Sequence, residues 1–480
     1  MADLSNPKLS QNALIEAHYQ QIARAFDAKA GASGWSAGFY RELLYRTYRL
    51  AIPKGSTIIE IGCGNGELLA HFTDCDVTGI DVSSQQVAQA RLRVPEGKFH
   101  CMAAEHLSLT GQYDFIIISD AVNLFADVQL AMEQVRLIAK PSTRLILNFH
   151  NTLWRPILAL AKMLGVATET PSYSWLNRYD LENMLWLANW EVIRKDARIL
   201  FPLPIPVIET FLNRWLAPLL SPFCLAYFLV ARLPVPRSKE ASSLSIVVPA
   251  RNEAGNIESI VQRLPTFEGE VELIFIEGHS KDNTWDEILR VKHDYPHVNI
   301  VAMRQTGKGK GNAVREAFAV ATNDILIILD ADQTVPPEDL PRFVRALTTG
   351  RVEFANGVRL VYPMEDKSMQ FANMCANYAF GNIFSWLMAQ RVKDTLCGTK
   401  CLYRADYEII AANRSYFGDF DPFGDFDLLF GASKLNLKIA DVPIRYRERT
   451  YGSTNIQRWR HGVMLLGMVL IAARKLRFVK

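Results

Sequence analysis

The chain has 480 residues, 49% hydrophobic and 21% charged, with a net charge of +3. A single core stops growing at roughly 250–300 residues, so the length predicts two α/β domains. This composition excludes a disordered chain and a multi-span membrane protein, and so small a net charge gives no argument for a nucleic-acid partner.

The N-terminus lacks a basic stretch followed by an apolar run, so no signal peptide is expected and the chain reads as cytoplasmic. Its seven cysteines are odd in number and scattered, which reads as reduced thiols rather than a disulfide framework. Cys397 and Cys401, a close pair, lack the second pair or histidines of a zinc site.

Residues 12–50 carry apolar positions at helical spacing. Next, the runs TIIEIG, VTGID, FIIIS and RLILNF alternate with helix-like segments, the pattern of a parallel sheet with crossover helices. WEVIRKDARILF and CLAYFLVAR suit late strands of that sheet. Leu216 to Ala231 is apolar but broken by Pro218 and Pro222, and reads mostly as buried strand and turn.

The segment LPVPRSKEASS, residues 233–243, is rich in Pro, Ser and charge, as a linker should be. Alternation restarts with LSIVVPA, VELIFIEG, VNIVAMR and DILIILDAD. The expected division is a first domain at 12–232, a linker at 233–243 and a second domain at 244–480. Near the end, Val463 to Ala473 is too short to span a bilayer, which takes about 20 residues. It reads either as a core helix with a basic C-terminus or as an interfacial helix with Arg474, Lys475, Arg477 and Lys480 at the headgroups.

In IIEIGCGNGELL a strand ends at Ile61 and a helix is expected near Gly66. Gly62, Gly64 and Gly66 permit a tight turn and close approach of backbone to a ligand. The next strand ends in Asp81, and an acid at a strand tip can bind both ribose hydroxyls. The spacing is GxGxG, not the GxGxxG of dinucleotide sites.

This combination resembles the class I S-adenosylmethionine methyltransferases over roughly residues 15–230. The resemblance implies a Rossmann-like fold, with Glu60 before the glycines, the glycine turn around the methionine part, and Asp81 on the ribose. It further implies Ala104 and Glu105 at the adenine and Asp120 at the cofactor edge. Methyl transfer needs an aligned nucleophile more than dedicated acid–base groups. His150, after the fifth strand, reads either as a base or as a polar loop residue.

In ILIILDADQTVPPEDL a fully apolar strand ends in Asp330-Ala331-Asp332. A period of two puts both carboxylates on one side of an extended segment. Two acids at a strand tip make an oxygen-rich site for Mg²⁺ or Mn²⁺, which neutralises a diphosphate leaving group.

Here the chain resembles the family-2 inverting glycosyltransferases of GT-A fold, in particular the dolichol-phosphate mannose synthase branch, over about residues 243–460. The resemblance implies that Pro249, Ala250, Arg251 and Glu253 lie near the nucleotide base and ribose. Glu277 and Gly278 stand where the family has two aspartates, while Ser280, Asp282 and Thr284 match. Lys308 and Lys310, in GKGKGNAVREAF, then face the phosphates; a solvated basic loop is the other reading.

Thr334 stands where the branch often carries a glutamine, and Pro336, Pro337 and Glu338 keep the pattern. DTLCGTKCLYR matches an acceptor-side segment through Asp394, Thr395, Gly398 and Lys400. In GDFDPFGDFDLLF, Asp425 is the expected catalytic base and Asp427 the runner-up; helix capping is the other reading of these acids. Arg449, Tyr451 and Gly452 match an Arg-x-Tyr-Gly segment whose arginine approaches phosphate oxygens, with Arg447 a weaker neighbour. Gln457-Arg458-Trp459-Arg460 departs from the Gln-x-x-Arg-Trp of processive synthases.

The combined expectation is a bifunctional enzyme with two cofactors, S-adenosylmethionine and Mg²⁺ or Mn²⁺. It transfers a sugar from a nucleotide-sugar donor to a lipid-phosphate or glycan acceptor, and it methylates a second substrate. Peripheral membrane contact through residues 461–480 is a further expectation. The alternative is a glycosyltransferase whose N-terminal half is a non-catalytic binding or docking module.

Overall fold

The computed structural model describes residues 11–27, 37–163, 176–237, 242–362, 371–414, 425–447, 449, 451 and 458–478. The chain divides into two compact units, residues 1–234 and 235–479.

The first unit is built on seven strands: β1 (Thr57–Ile61), β2 (Asp76–Asp81), β3 (Lys98–Cys101), β4 (Tyr113–Ser119), β5 (Ala139–His150), β6 (Glu191–Arg198) and β7 (Ala226–Arg232). Their order is β3-β2-β1-β4-β5-β7-β6. β1 to β5 pair in parallel, and β7 runs antiparallel to both β5 and β6. The apolar runs are explained by burial on both faces. Ile59, Ile116 and Leu145 belong to one core layer, while Ile58, Ile117 and Ile146 belong to the other. The helix Gln11–Asp27 presents Ile15, Tyr19 and Ile22, at helical spacing, to Val82, Ala103 and Leu124 just beyond the strand tips.

The second unit also has seven strands: β8 (Leu244–Ala250), β9 (Val271–Glu277), β10 (Asn299–Arg304), β11 (Ile325–Ile328), β12 (Phe354–Val358), β13 (Lys400–Tyr403) and β14 (Ile439–Pro443). The order is β10-β9-β8-β11-β13-β12-β14. β13 is antiparallel to both of its neighbours, and the remaining pairs are parallel. Two apolar layers again enclose the sheet.

Two regions differ from the sequence reading, and the C-terminal helix takes the core-packed form that was one of its two readings. β11 stops at Ile328 and residues 331–332 form a turn, so the two aspartates do not share an extended segment. Leu219, Leu220 and Phe223 are exposed; only β7 of the 216–231 stretch is the buried strand expected there. In the C-terminal helix Arg458–Ala472 and its continuation Ala473–Arg477, Leu465, Met468, Ala472 and Leu476 pack into the core. The Arg477 side chain is buried and its Nε donates to the Trp386 carbonyl at 2.7 Å, while Leu466 and Leu470 face outward. Among the described residues no helix is long and apolar enough to cross a membrane.

Within the expected linker, Leu233 is buried in the core of the first unit. Arg237 is anchored in the second: its guanidinium lies 2.9 Å from Glu353 and 2.7 Å from Asp406, over the Tyr403 ring. Removing one partner of such a buried pair leaves a charge unmatched. Arg237→Ala is expected to destabilise the second unit by about 3 kcal/mol, read as a lowered urea midpoint for its unfolding; an unchanged midpoint refutes the anchoring role.

Candidate functional sites

After β1 the chain turns through Gly62, Gly64 and Gly66 with φ of +78°, +50° and +73°. That left-handed backbone is costly for any residue with a Cβ. A Cβ at Gly62 would lie 2.7 Å from the Ala121 methyl, and one at Gly66 3.1 Å from that of Ala90. Asp81, at the tip of β2, holds the turn. Its two oxygens accept the N–H groups of Gly64 at 2.8 Å and Ser83 at 2.9 Å. Burial raises the Asp81 carboxyl, and these N–H groups oppose the rise. Glu60 is buried within β1, and its Oε2 has no hydrogen-bond partner. Burial, then the nearby Asp81 charge, pushes its carboxyl well above the usual range.

At the tip of β4, Asp120 adopts φ +51°. It accepts from Asn148 Nδ2 at 2.5 Å and from the Tyr40 hydroxyl at 3.1 Å. The same hydroxyl lies 3.1 Å from His150 Nε2, which is 3.7 Å from Asp120. Tyr48 donates to Asn148 Oδ1 at 2.6 Å, completing the cluster. Burial raises the Asp120 carboxyl, with His150 opposing. Tyr40 and Tyr48 come from the helix Ala37–Ala51; the sequence reading missed both, because a tyrosine in an amphipathic helix carries no local sign of its partner.

Glu105 is a correction. Its carboxylate faces the protein, accepting from Ala126 N and Asp127 N at 3.0 Å each and from the Tyr19 hydroxyl at 2.6 Å. It ties the helix Gln11–Asp27 to the segment that leads into the helix Val128–Leu137, and Ala104 beside it is buried.

In the second unit, Asn252, His279 and Gln333 have φ of +56°, +57° and +54°. They follow the tips of β8, β9 and β11, and strained non-glycine backbone gathers where ligands bind. Asp332 accepts from Arg449 Nη2 at 2.6 Å, and its other oxygen accepts from the Thr334 N–H and hydroxyl. Arg449 also reaches Glu253 Oε1 at 3.3 Å. Glu253 is buried, accepts from Asn256 Nδ2 at 2.7 Å, and donates its backbone N–H to Thr284 Oγ1. Burial pushes its carboxyl up to about 7 against the pull of Arg449, with Asp332 adding to the rise.

Asp330 pairs with Lys310, Nζ to Oδ1 at 2.6 Å. Lys308 instead lies exposed on the loop before the helix Lys310–Val320. Gly398 lies against the pair: a Cβ there would collide with both the Asp330 carboxylate and Lys310 Nζ. Arg251 is exposed beyond β8, Pro249 is half-buried, and the Ala250 carbonyl accepts the Gly278 N–H at 2.9 Å. Glu277 is buried and accepts the Ser280 N–H, so it shapes the loop after β9.

The acceptor-side expectations need correcting. Asp394 is fully buried, gripped by Arg359 Nε at 2.7 Å and Asn377 at 2.9 Å. Burial alone would raise its carboxyl, but the Arg359 guanidinium outweighs it and holds the group at about 2. Lys400 and Thr395 are also fully buried, and Lys400 donates to the Cys397 carbonyl. These residues build the interior. Asp427 is buried beside Arg414 at 2.7 Å and Arg315 at 4.0 Å, an anchor between helices. Asp425 opens the helix Asp425–Lys434, and its side chain lies outside the described residues, as do Gly452 and Gln457. Arg447 donates its backbone N–H to the Thr334 carbonyl.

Each unit therefore gathers its polar groups at the tips of parallel strands, the layout of a group-transfer enzyme. Residues 36–195 match the family model "Methyltransferase domain" and residues 245–409 match "Glycosyl transferase family 2". These matches put a methyltransferase domain in the first unit and a family-2 glycosyltransferase domain in the second, each on a seven-stranded mixed sheet. It is similar to the dolichol-phosphate mannosyltransferase of Pyrococcus furiosus, 31% identical over 25% of this chain and 33% of that protein's length. It is also similar to the dolichyl-phosphate hexose transferase of Haloferax volcanii, 27% identical over 46% of this chain and 90% of that one. Among solved structures, a SAM-dependent methyltransferase of Thermotoga maritima is 14% identical with a TM-score of 0.33, covering 45% of this chain and 98% of that one.

The buried Glu253 has a pH signature. With its carboxyl raised from 4.5 to about 7, the folded state holds an extra proton between those values. Stability therefore falls as pH rises through that window. Relative to Glu253→Gln, the wild type is expected to lose melting temperature between pH 4.5 and 7; parallel curves for the two proteins contradict the assignment.

Proposed function

We propose that the chain is bifunctional, with catalytic domains at 12–232 and 244–480 joined by 233–243. The second domain transfers a sugar, with inversion, from a nucleotide donor to a lipid phosphate. The first transfers a methyl group from S-adenosylmethionine. The observation that carries the sugar-transfer reading is the pair of strand-tip aspartates, each paired with a cation of the chain: Asp330 with Lys310 and Asp332 with Arg449.

In this reading the acceptor oxygen attacks the anomeric carbon while the nucleoside diphosphate leaves with the bonding pair. Lys310 and Arg449 are the cations suited to that diphosphate, and their charges would stabilise it as it forms. Glu253, Arg251 and the turn after β8 border the nucleotide. The two aspartates offer hard oxygens that fit Mg²⁺ or Mn²⁺. Among the described residues no third His, Cys, Asp or Glu joins them, which suits an ion that keeps waters and substrate oxygens as its other ligands. When bound, such an ion supplies Lewis-acid stabilisation of the diphosphate.

The acceptor in this reading is a lipid phosphate, and the runner-up base for a hydroxyl acceptor, Asp427, is otherwise engaged. A hydroxyl needs a base to take its proton, and Asp427 is committed to Arg414. An ionised phosphate needs only orientation. The dolichol-phosphate names of two relatives support the same choice.

In the first domain, the cradle that a Cβ would fill at Gly62 and Gly66 and the unpartnered oxygen of buried Glu60 fit S-adenosylmethionine. That cofactor supplies an electrophilic methyl on sulfur. Asp81, whose oxygens already brace the turn, borders the ribose. His150, with Tyr40 and Asp120 beside it, takes the proton of the methyl acceptor.

Three measurements on the full chain test this. Asp332→Ala is expected to lose the Mn²⁺-dependent thermal shift with nucleotide sugars and to cut transfer by roughly 100-fold or more; an unchanged response refutes the metal assignment. Wild type is expected to bind S-adenosylmethionine in calorimetry and Asp81→Ala to bind it far more weakly; absence of binding by wild type makes the first domain a docking module. His150→Ala is expected to slow methyl transfer by about 100-fold with cofactor affinity retained; undiminished turnover removes His150 as the base.

A further inference from the structure

Two segments of the first unit wear their amphipathicity inside out. The first lies between β6 and β7. Its helix Ile208–Thr210 continues as a wider π turn, Phe211–Leu216. Ile208, Phe211, Trp215 and Leu219 recur at helical spacing and are 43% to 61% exposed. Between them Asn213 turns inward. Asn213 Oδ1 accepts the N–H groups of Leu200 and Phe201 at 2.9 and 2.8 Å, and its Nδ2 donates to the Phe201 carbonyl at 2.7 Å.

The second segment follows β5. Leu153 and, on the helix Arg155–Met163, Ile157, Leu160 and Met163 are 52% to 78% exposed. The two segments are stitched together: Trp154 Nε1 donates to the Phe223 carbonyl at 2.8 Å, and Asn151 Nδ2 to that of Pro222 at 2.8 Å.

Their place in the fold is defined. His150 at the end of β5 and Arg198 at the end of β6 both pair with Ala226 of β7. Both segments therefore spring from the strand tips beside His150 and Asp120.

Ordinary surface helices turn polar residues to water, and a contiguous apolar patch marks an interaction site. The charges on these segments select the partner. Arg155 and Arg214 stand against a single carboxylate, Glu209. The Arg214 guanidinium lies 5.2 Å from the Trp215 ring, so a cation and an amphipathic aromatic sit together at the margin of the apolar face. That combination matches the boundary between lipid headgroups and acyl chains.

We propose that these segments seat the first unit on the surface of an anionic lipid bilayer, with the methyltransferase cleft at the membrane. The contact is interfacial. Leu and Phe side chains enter the acyl boundary while the cations meet lipid phosphates. It is distinct from residues 461–480, whose helix packs much of its apolar surface into the core of the second unit. It does not depend on either transfer reaction, so its failure would leave the proposed chemistry standing.

The test is flotation of the full chain with phosphatidylcholine vesicles doped with phosphatidylglycerol. Wild type is expected to float. The triple variant Phe211→Ser, Trp215→Ser, Leu219→Ser is expected to lose about tenfold in vesicle affinity, and Leu153→Ser, Ile157→Ser, Leu160→Ser to do the same. Every altered side chain is exposed, so melting temperatures should match wild type, which separates lost binding from lost folding. Wild type remaining at the bottom of the gradient overturns the proposal, as do triple variants that float undiminished. So does flotation lost only in Leu466→Ser, Leu470→Ser. A concentration-dependent dimer that both triple variants abolish, with no vesicle binding by wild type, also overturns it and gives the face to a second copy of the chain.

Discussion

A strand buried on both faces offers a ligand little except its tip, and both units are organised around that constraint. Ile58 and Ile59 in one sheet, like Ile327 and Ile328 in the other, are closed off by apolar layers above and below. Polar chemistry is thereby confined to the few residues that follow each strand. Those residues pay in backbone strain: Asp120, Asn252, His279 and Gln333 all adopt positive φ just past a strand end. Loop, sheet and site are consequences of one another, because the apolar strands are what hold the strained turns in place.

The second site is also close to electrical balance. Asp330, Asp332 and Glu253 face Lys310 and Arg449. The proton that Glu253 retains near neutrality brings the count nearer to zero. A cluster arranged in this way folds without a large unmatched charge. The first site uses a different solution: Asp81 is stabilised by backbone N–H groups, while burial and the nearby Asp81 raise the Glu60 carboxyl well above its ordinary range.

The features legible in the sequence were those written in consecutive residues. The glycine turn, Asp81 and the aspartates after β11 each follow an apolar run directly, so spacing alone points to them. Side-chain direction was not legible. Lys308 and Lys310 look equivalent in a glycine-rich loop, and only the start of the helix at Lys310 aims one of them at Asp330. Asp394 and Lys400 match an acceptor-side motif, yet both point into the interior. Long-range partners were invisible for the same reason. Arg449 meets Glu253 across 196 positions, and Tyr19 meets Glu105 across 86. The outward apolar face of 208–219 escaped because its composition suits a core as well as a surface.

Gly398 shows how far such packing reaches. Hydrogen is the only side chain that the Asp330–Lys310 pair leaves room for, since any carbon there would displace one partner or the other. Enlarging residue 398 would push the lysine tip or the carboxylate aside, so a single methyl at this loop glycine is enough to loosen the Asp330–Lys310 ion pair without altering either charge.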